Sequence, residues 1–179
     1  MTILVCPLSR VADMVACHTP CRVVSLLDPG SSFPELGPRY AERHLRLSFH
    51  DINLPSEGMV TASAGQITQL VDFVAAWERP EPILFHCRAG ISRSTAAAFI
   101  AACWCSPETD EQEIAVTLRR VAPLARPNQR LIGLADDLMG RGGRMTEAIA
   151  TTGRDLLWAE VEEAEPFGLP LNGGSGGRS

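Results

Sequence analysis

The stretch PILFHCRAGISRSTAAAFI, residues 82–100, constrains the fold more than any other part of the chain. PILFH is a short apolar run of the kind that forms a buried strand. Gly90 lets the backbone turn where a Cβ would obstruct it. From Ser92 the run SRSTAAAFIAACW reads as a helix whose small residues allow close packing on a sheet. Strand, loop and helix in this order commit the chain to layers of helix on sheet.

The flanking sequence repeats the alternation. TILVC (2–6) and RVVSLL (22–27) are β-branched apolar runs, and between them Ser9 is placed to cap a helix with Val11, Met14 and Val15 on one face. HLRLSF (44–49) alternates as a strand does, and Ile67, Leu70, Val71, Val74 and Trp77 recur at helical spacing before Pro80. Thr109 with Gln112 forms a capping box ahead of IAVTLRRVA, Asn128 caps QRLIGLADDLMG, and a further helix is expected over 145–163. The fold class expected is α/β, a central and mostly parallel sheet flanked by helices. One catalytic domain is expected over 1–165, with a disordered Gly/Ser-rich tail over 166–179.

Composition narrows the setting. With 179 residues, 45% of them apolar and 21% charged, the chain suits one soluble globular domain. It has no run of eighteen apolar residues and no secretory signal at its start, so a cytoplasmic location is expected. A net charge of −5 argues against nucleic acid or an anionic membrane as partner. All sixteen basic residues are Arg, a skew that fits a GC-rich bacterial genome. The six cysteines read as thiols in a reducing compartment. Cys17 and Cys21, with His18 nearby, offer too few ligands for zinc.

The loop after the strand carries the chemistry. Its successive N–H groups and the following helix N-terminus make an anion site, and Cys87 lies at its base. That field favours thiolate over thiol; cysteines so placed ionise at roughly 3.5 to 7.5 instead of about 8.5. Cys87 is therefore expected to be a nucleophile at neutral pH. Arg93 returns over the hollow, where its planar fork can hold two oxygens of a phosphate.

His86, Cys87, Gly90, Arg93 and Ser94 fit the pattern HCxxGxxR(S/T), and the chain thereby resembles the cysteine-dependent protein tyrosine phosphatase superfamily. Within it the compact dual-specificity branch is most similar, above all small bacterial tyrosine-phosphatase-like proteins that share FHDI and HCxAGISRSTAAAFI. The resemblance implies a general acid some three dozen residues before the Cys, and Asp51 in FHDINLP lies thirty-six before Cys87. It also implies a Pro-Asn pair opening a later helix, supplied by Pro127 and Asn128. The activity implied is phosphomonoester hydrolysis through a phosphocysteine, with a phosphorylated protein or small phosphomonoester as partner and neither cofactor nor metal.

On this reading the loop from Arg88 through Ala89, Gly90, Ile91 and Ser92 to Arg93 holds the phosphate, and Cys87 attacks phosphorus in line. Asp51 protonates the leaving oxygen and then activates water, while Ser94 hydrogen-bonds the sulfur. His86 orients the loop. Asn128 either positions water or simply caps its helix, and both readings stay open. Arg88 either flanks the pocket or is a solvated loop residue; His50 reads as an exposed strand end or a substrate contact; Asp28 before Pro-Gly reads as turn chemistry and is a rival acid. No counterpart of the tyrosine-bearing loop of classical tyrosine phosphatases is evident, so strict phosphotyrosine specificity is not expected. The alternatives are a phosphoinositide or inositol phosphatase, a phosphate-binding module without turnover, and a sulfurtransferase that also uses a loop Cys. The Arg-Ser pair after the loop favours phosphate over a persulfide, and Ile91 and Ser92 stand where inositide enzymes often carry Lys.

Overall fold

The structure, a computed structural model, describes residues 1–78, 80–152 and 161–171. Five strands form one sheet: β1 (Thr2–Pro7), β2 (Arg22–Leu27), β3 (His44–Ser48), β4 (Ile83–Cys87) and β5 (Phe167–Pro170). Their order is β3-β2-β4-β1-β5. The first four are mutually parallel and β5 is antiparallel to β1. The expected parallel sheet is present, and β1 and β2 do join through a helix, but β4 lies between them.

Among the described residues six α-helices cover the sheet: α1 (Val11–His18), α2 (Ala64–Ala75), α3 (Arg93–Cys105), α4 (Glu111–Val121), α5 (Gln129–Leu138) and α6 (Arg144–Thr152). Alternation along the strands divides them. Ile3, Val5, Val24, Leu26, Ile83 and Phe85 pack on α2, α3 and the later helices, whereas Leu4, Cys6, Val23 and Leu84 face α1 through Val11 and Met14. β4 is buried along its whole length, which explains its unbroken apolar run. Every residue of α3 from Arg93 to Cys103 is buried. Its alanines let α2, α5 and the sheet approach it closely, as the small-residue run predicts.

Several local expectations are corrected. Leu8–Arg10 forms a 3-10 turn, so α1 starts without a side-chain cap and Ser9 instead donates to Glu163 at 2.5 Å. Asp110, not Thr109, caps α4, because its carboxylate reaches the Gln112 N–H at 2.7 Å. A capping box does exist at α2, where Ser63 and Gln66 satisfy each other's backbone. Of the helix expected over 145–163, Arg144–Thr152 is helical, residues 153–160 lie outside the described residues, and 161–166 are not helical. The expected tail begins too early. Phe167–Pro170 pair with Val5–Thr2 and bury Leu169, covering an edge of β1 that would otherwise expose unpaired backbone groups. Residues 172–179 lie outside the described residues.

Among the described residues no helix is long and apolar enough to cross a membrane, and no cluster of three or more His, Cys, Asp or Glu side chains is placed to hold a metal ion.

Candidate active site

Parallel strands end together at one edge of the sheet, and the expected site residues gather there. Cys87 is the last residue of β4, in register with Pro7 of β1 and Leu26 of β2. Asp28 follows β2 by one residue, and Asp51 follows β3 closely. Such an edge is where open α/β sheets bind ligands.

The loop from Arg88 to Ser92 owes its shape to backbone contacts on its outer side. The carbonyls of Arg88, Ala89, Ile91 and Ser92 accept from the N–H groups of Leu8 (3.1 Å), Ala164 (2.8 Å), Arg126 (2.9 Å) and Asn128 (3.3 Å). In a trans peptide the next N–H points opposite the carbonyl. The N–H groups of Ala89, Gly90, Ser92 and Arg93 therefore point away from these neighbours and into the hollow, which makes an anion cradle. Gly90 has φ +72, and a Cβ there would lie 2.8 Å from the Pro7 nitrogen. Only glycine lets the loop turn this close to β1.

The side chains complete the cradle. Cys87 is buried, with its Sγ 3.1 Å from Ser94 Oγ. Arg93 is 3% exposed, and its Nη1 donates to Asp28 Oδ1 at 2.9 Å and to the Phe49 carbonyl at 2.8 Å. Its Nε is buried without a hydrogen-bond partner and lies 3.8 Å from Asp51 Oδ2. A buried donor left unsatisfied costs about 1–3 kcal/mol, which an oxyanion in the hollow would relieve. Asp51 Oδ1 accepts from Ser92 Oγ at 2.7 Å and from Asn128 Nδ2 at 2.8 Å. Asn128 also accepts the Leu131 N–H at 3.1 Å, so it is both a helix cap and a site residue.

Other expectations resolve less simply. Arg88 is exposed at the loop's outer turn. His50 is not a free strand end, because its Nδ1 accepts the Val60 N–H at 2.8 Å and braces the loop behind Asp51. His86 is fully buried, and burial, reinforced by neighbouring His44, pushes its pKa down to about 3. That leaves it neutral, unable to serve as a proton donor to substrate. Asp28 sits on Arg93 in addition to making its turn. Asn53 was not singled out by sequence; its Oδ1 accepts from the Gln129 and Arg130 N–H groups at 3.1 and 3.4 Å and ties the Asp51 loop to the start of α5. An Asn two residues after an Asp, ahead of Pro, carries no signal for so distant a contact. Of the remaining thiols, burial and the charge on Cys87 push Cys6 up to about 12, and burial also raises Cys103, so neither supplies a thiolate near neutral pH.

A buried thiol at the start of a loop of backbone amides, with a buried guanidinium and a carboxylate close by, is an arrangement suited to phosphate esters. The family model described as protein-tyrosine phosphatase matches residues 40–130, a span that carries Asp51, the loop and Asn128. This chain belongs to the protein-tyrosine phosphatase family and is a cysteine-based phosphatase. Solved structures share the fold at low identity. The human tyrosine phosphatase-like serine/threonine/tyrosine-interacting protein superimposes with a TM-score of 0.58 at 14% identity, over 75% of this chain and 89% of that one. The PTP-2 phosphatase of Cydia pomonella gives 0.54 at 18%, over 74% and 83%, and PTPMT1 gives 0.54 at 14%, over 79% and 94%. No curated protein matches the chain in sequence.

Proposed function

We propose that the protein hydrolyses phosphorylated tyrosine, serine or threonine side chains of proteins through a phosphocysteine on Cys87. The observation that carries this reading is the buried Arg93, whose Nη1 is tied to Asp28 and Phe49 while its Nε is left without a hydrogen-bond partner 3.8 Å from Asp51 Oδ2. In the first step Cys87 Sγ attacks phosphorus as the P–O bond to the alcohol breaks. The loop N–H groups and Arg93 hold the equatorial oxygens, and Asp51 gives its proton to the leaving oxygen. In the second step water attacks phosphorus, Asp51 takes a proton from it, and the sulfur leaves as thiolate. The hydroxyl of Ser94, 3.1 Å away, is within reach to stabilise that thiolate. Asn128 and Ser92 hold the Asp51 carboxylate by one oxygen, which frees the other for the transferred proton.

Protein substrates are preferred to phosphoinositides on the loop's own residues. Ile91 and Ser92 add no cation to Arg93, and the chain as a whole carries −5. PTPMT1, one of the proteins with the same fold, has been solved in complex with PI(5)P, so the inositide class belongs in the test. Six free thiols and an all-Arg basic set support a cytoplasmic setting in a bacterium. We take 1–171, including β5, as one catalytic unit.

The test is a panel of phosphotyrosine, phosphoserine and phosphothreonine peptides and phosphoinositides, with wild type and Cys87→Ser. Turnover should be greatest on phosphopeptides. Cys87→Ser should abolish it while still binding vanadate, because backbone amides and Arg93 remain. Near wild-type turnover in Cys87→Ser would remove Cys87 from its role, and a preference for phosphoinositides would replace the substrate class.

A further inference from the structure

The sheet face packed on α1 carries a polar row that the proposed chemistry does not use. Register places Ser25 of β2 opposite His86 of β4 on one side and opposite Arg46 of β3 on the other. His44, two residues before Arg46, shares that face. Ser25 and His86 are fully buried, so their polar atoms must find partners inside the fold. Ser25 Oγ bonds His44 Nε2 at 2.6 Å and also bonds His86 Nε2. At the outer end Arg46 Nε lies 3.3 Å from His44 Nδ1 and donates to it.

One hydroxyl between two imidazoles leaves the direction of the hydrogen bonds open, because either ring could be the donor. Arg46 closes that choice. A guanidinium has no acceptor, so His44 Nδ1 must accept, and the proton of that neutral ring sits on Nε2. His44 Nε2–H therefore donates to Ser25 Oγ. The single hydrogen of Ser25 is then directed to His86 Nε2, which must accept, and the proton of His86 is left on Nδ1. Nδ1 is buried and makes no hydrogen bond of good geometry, so its proton is assigned through the chain of donors that starts at Arg46.

We infer that Arg46, His44 and Ser25 are positioning residues that fix buried His86 as its Nδ1–H tautomer and thereby hold the Cys87 end of the phosphate loop. The relay starts at an exposed arginine on the edge strand and ends at the residue before the sulfur. Its effect on rate rests on the proposed role of Cys87; the tautomer does not.

The experiment pairs long-range ¹H–¹⁵N NMR of the imidazoles at neutral pH with steady-state kinetics on one aryl phosphate. It uses wild type, Ser25→Ala, Ser25→Thr and Arg46→Met, with His86→Asn to assign the His86 signals. In wild type His86 should be protonated on Nδ1. Ser25→Ala should shift the proton toward Nε2 and lower kcat about five- to tenfold with KM unchanged, the scale of one lost hydrogen bond. Ser25→Thr keeps the hydroxyl and should restore both. Arg46→Met, at an exposed position, should shift the tautomer without changing the melting temperature. An Nε2–H tautomer in wild type, or Nδ1–H retained in Ser25→Ala, overturns the relay. A tautomer that moves while kcat does not overturns the positioning role. Absence of phosphatase activity in wild type would sink the functional reading instead, and the NMR would still decide the relay.

Discussion

Two carboxylates face Arg93 from different loops, and their hydrogen bonds assign them different work. Asp28 bonds Nη1 directly at 2.9 Å, which orients the guanidinium. Asp51 stands 3.8 Å from Nε and is held through one oxygen by Ser92 and Asn128. Asp51→Asn should cost on the order of 10²-fold on a phosphotyrosine peptide and clearly less on an activated aryl phosphate, whose leaving group needs no proton. It should also remove the alkaline limb of the pH–rate profile. Asp28→Asn should lower kcat/KM about tenfold on both substrates alike and keep that limb; the loss is at the low end for a charged hydrogen bond because Asp28 is 36% exposed. Reversed leaving-group patterns would exchange the two roles. Cys87 and Arg93 were legible in the sequence because the loop joining them is local. The placement of Asp28 was not. Asp-Pro-Gly does form its turn, with Ser31 N–H on the Asp28 carbonyl at 3.0 Å, and nothing local discloses that the side chain serves an arginine 65 positions away.

At the scale of elements, the anion cradle is a backbone device, and its weak point is the contact between Gly90 and the end of β1. Gly90→Ala would combine positive φ with a Cβ 2.8 Å from the Pro7 nitrogen, and backbone cannot move aside as a side chain would. The variant should remain folded, with about 1–3 kcal/mol lost in urea unfolding. Its kcat/KM should fall about 10²-fold, since displacing the loop N–H groups by about an ångström misplaces the phosphate. Wild-type kinetics in Gly90→Ala would mean that the loop does not need this close approach. The elements around the loop were legible wherever their own residues determine them, as in the apolar run of β4, the alanines of α3 and the Asn128 cap. β5 was not, because Phe-Gly-Leu-Pro has neither alternation nor length. Its signal lies in the partner: Gly168 fits beside Thr2, whose Cγ2 would be 2.8 Å from any Cβ there. Pairing with β1 creates the strand.

For the whole molecule, three titratable groups, buried His86 and Glu111 and half-buried His44, make stability depend on pH in the same direction. Burial pushes His44 down to about 4, helped by Arg46, and His86 down to about 3, helped by His44. The unfolded chain, with ordinary imidazoles near 6.5, therefore binds more protons than the folded one between about 3 and 6.5, so stability falls as pH drops through that window. Glu111, 3% exposed between α4 and α6, adds a further loss at lower pH. Burial raises its pKa, but the hydrogen bonds and charges of Arg144 and Arg141 outweigh that and hold it below the usual range. A depressed carboxyl gives stability that is present above its unfolded pKa and lost as pH falls through the folded one. Urea unfolding should accordingly show a loss on the order of 2–4 kcal/mol between pH 7 and pH 5, about 2 kcal/mol from buried His86 and a smaller share from half-buried His44, and a further loss below the ordinary glutamate range. His44→Gln removes one of the two rings and should flatten the upper part of that slope while leaving the lower part in place. Stability that stays level from pH 7 to pH 5 in the wild type would mean that His44 and His86 are not held neutral inside the sheet.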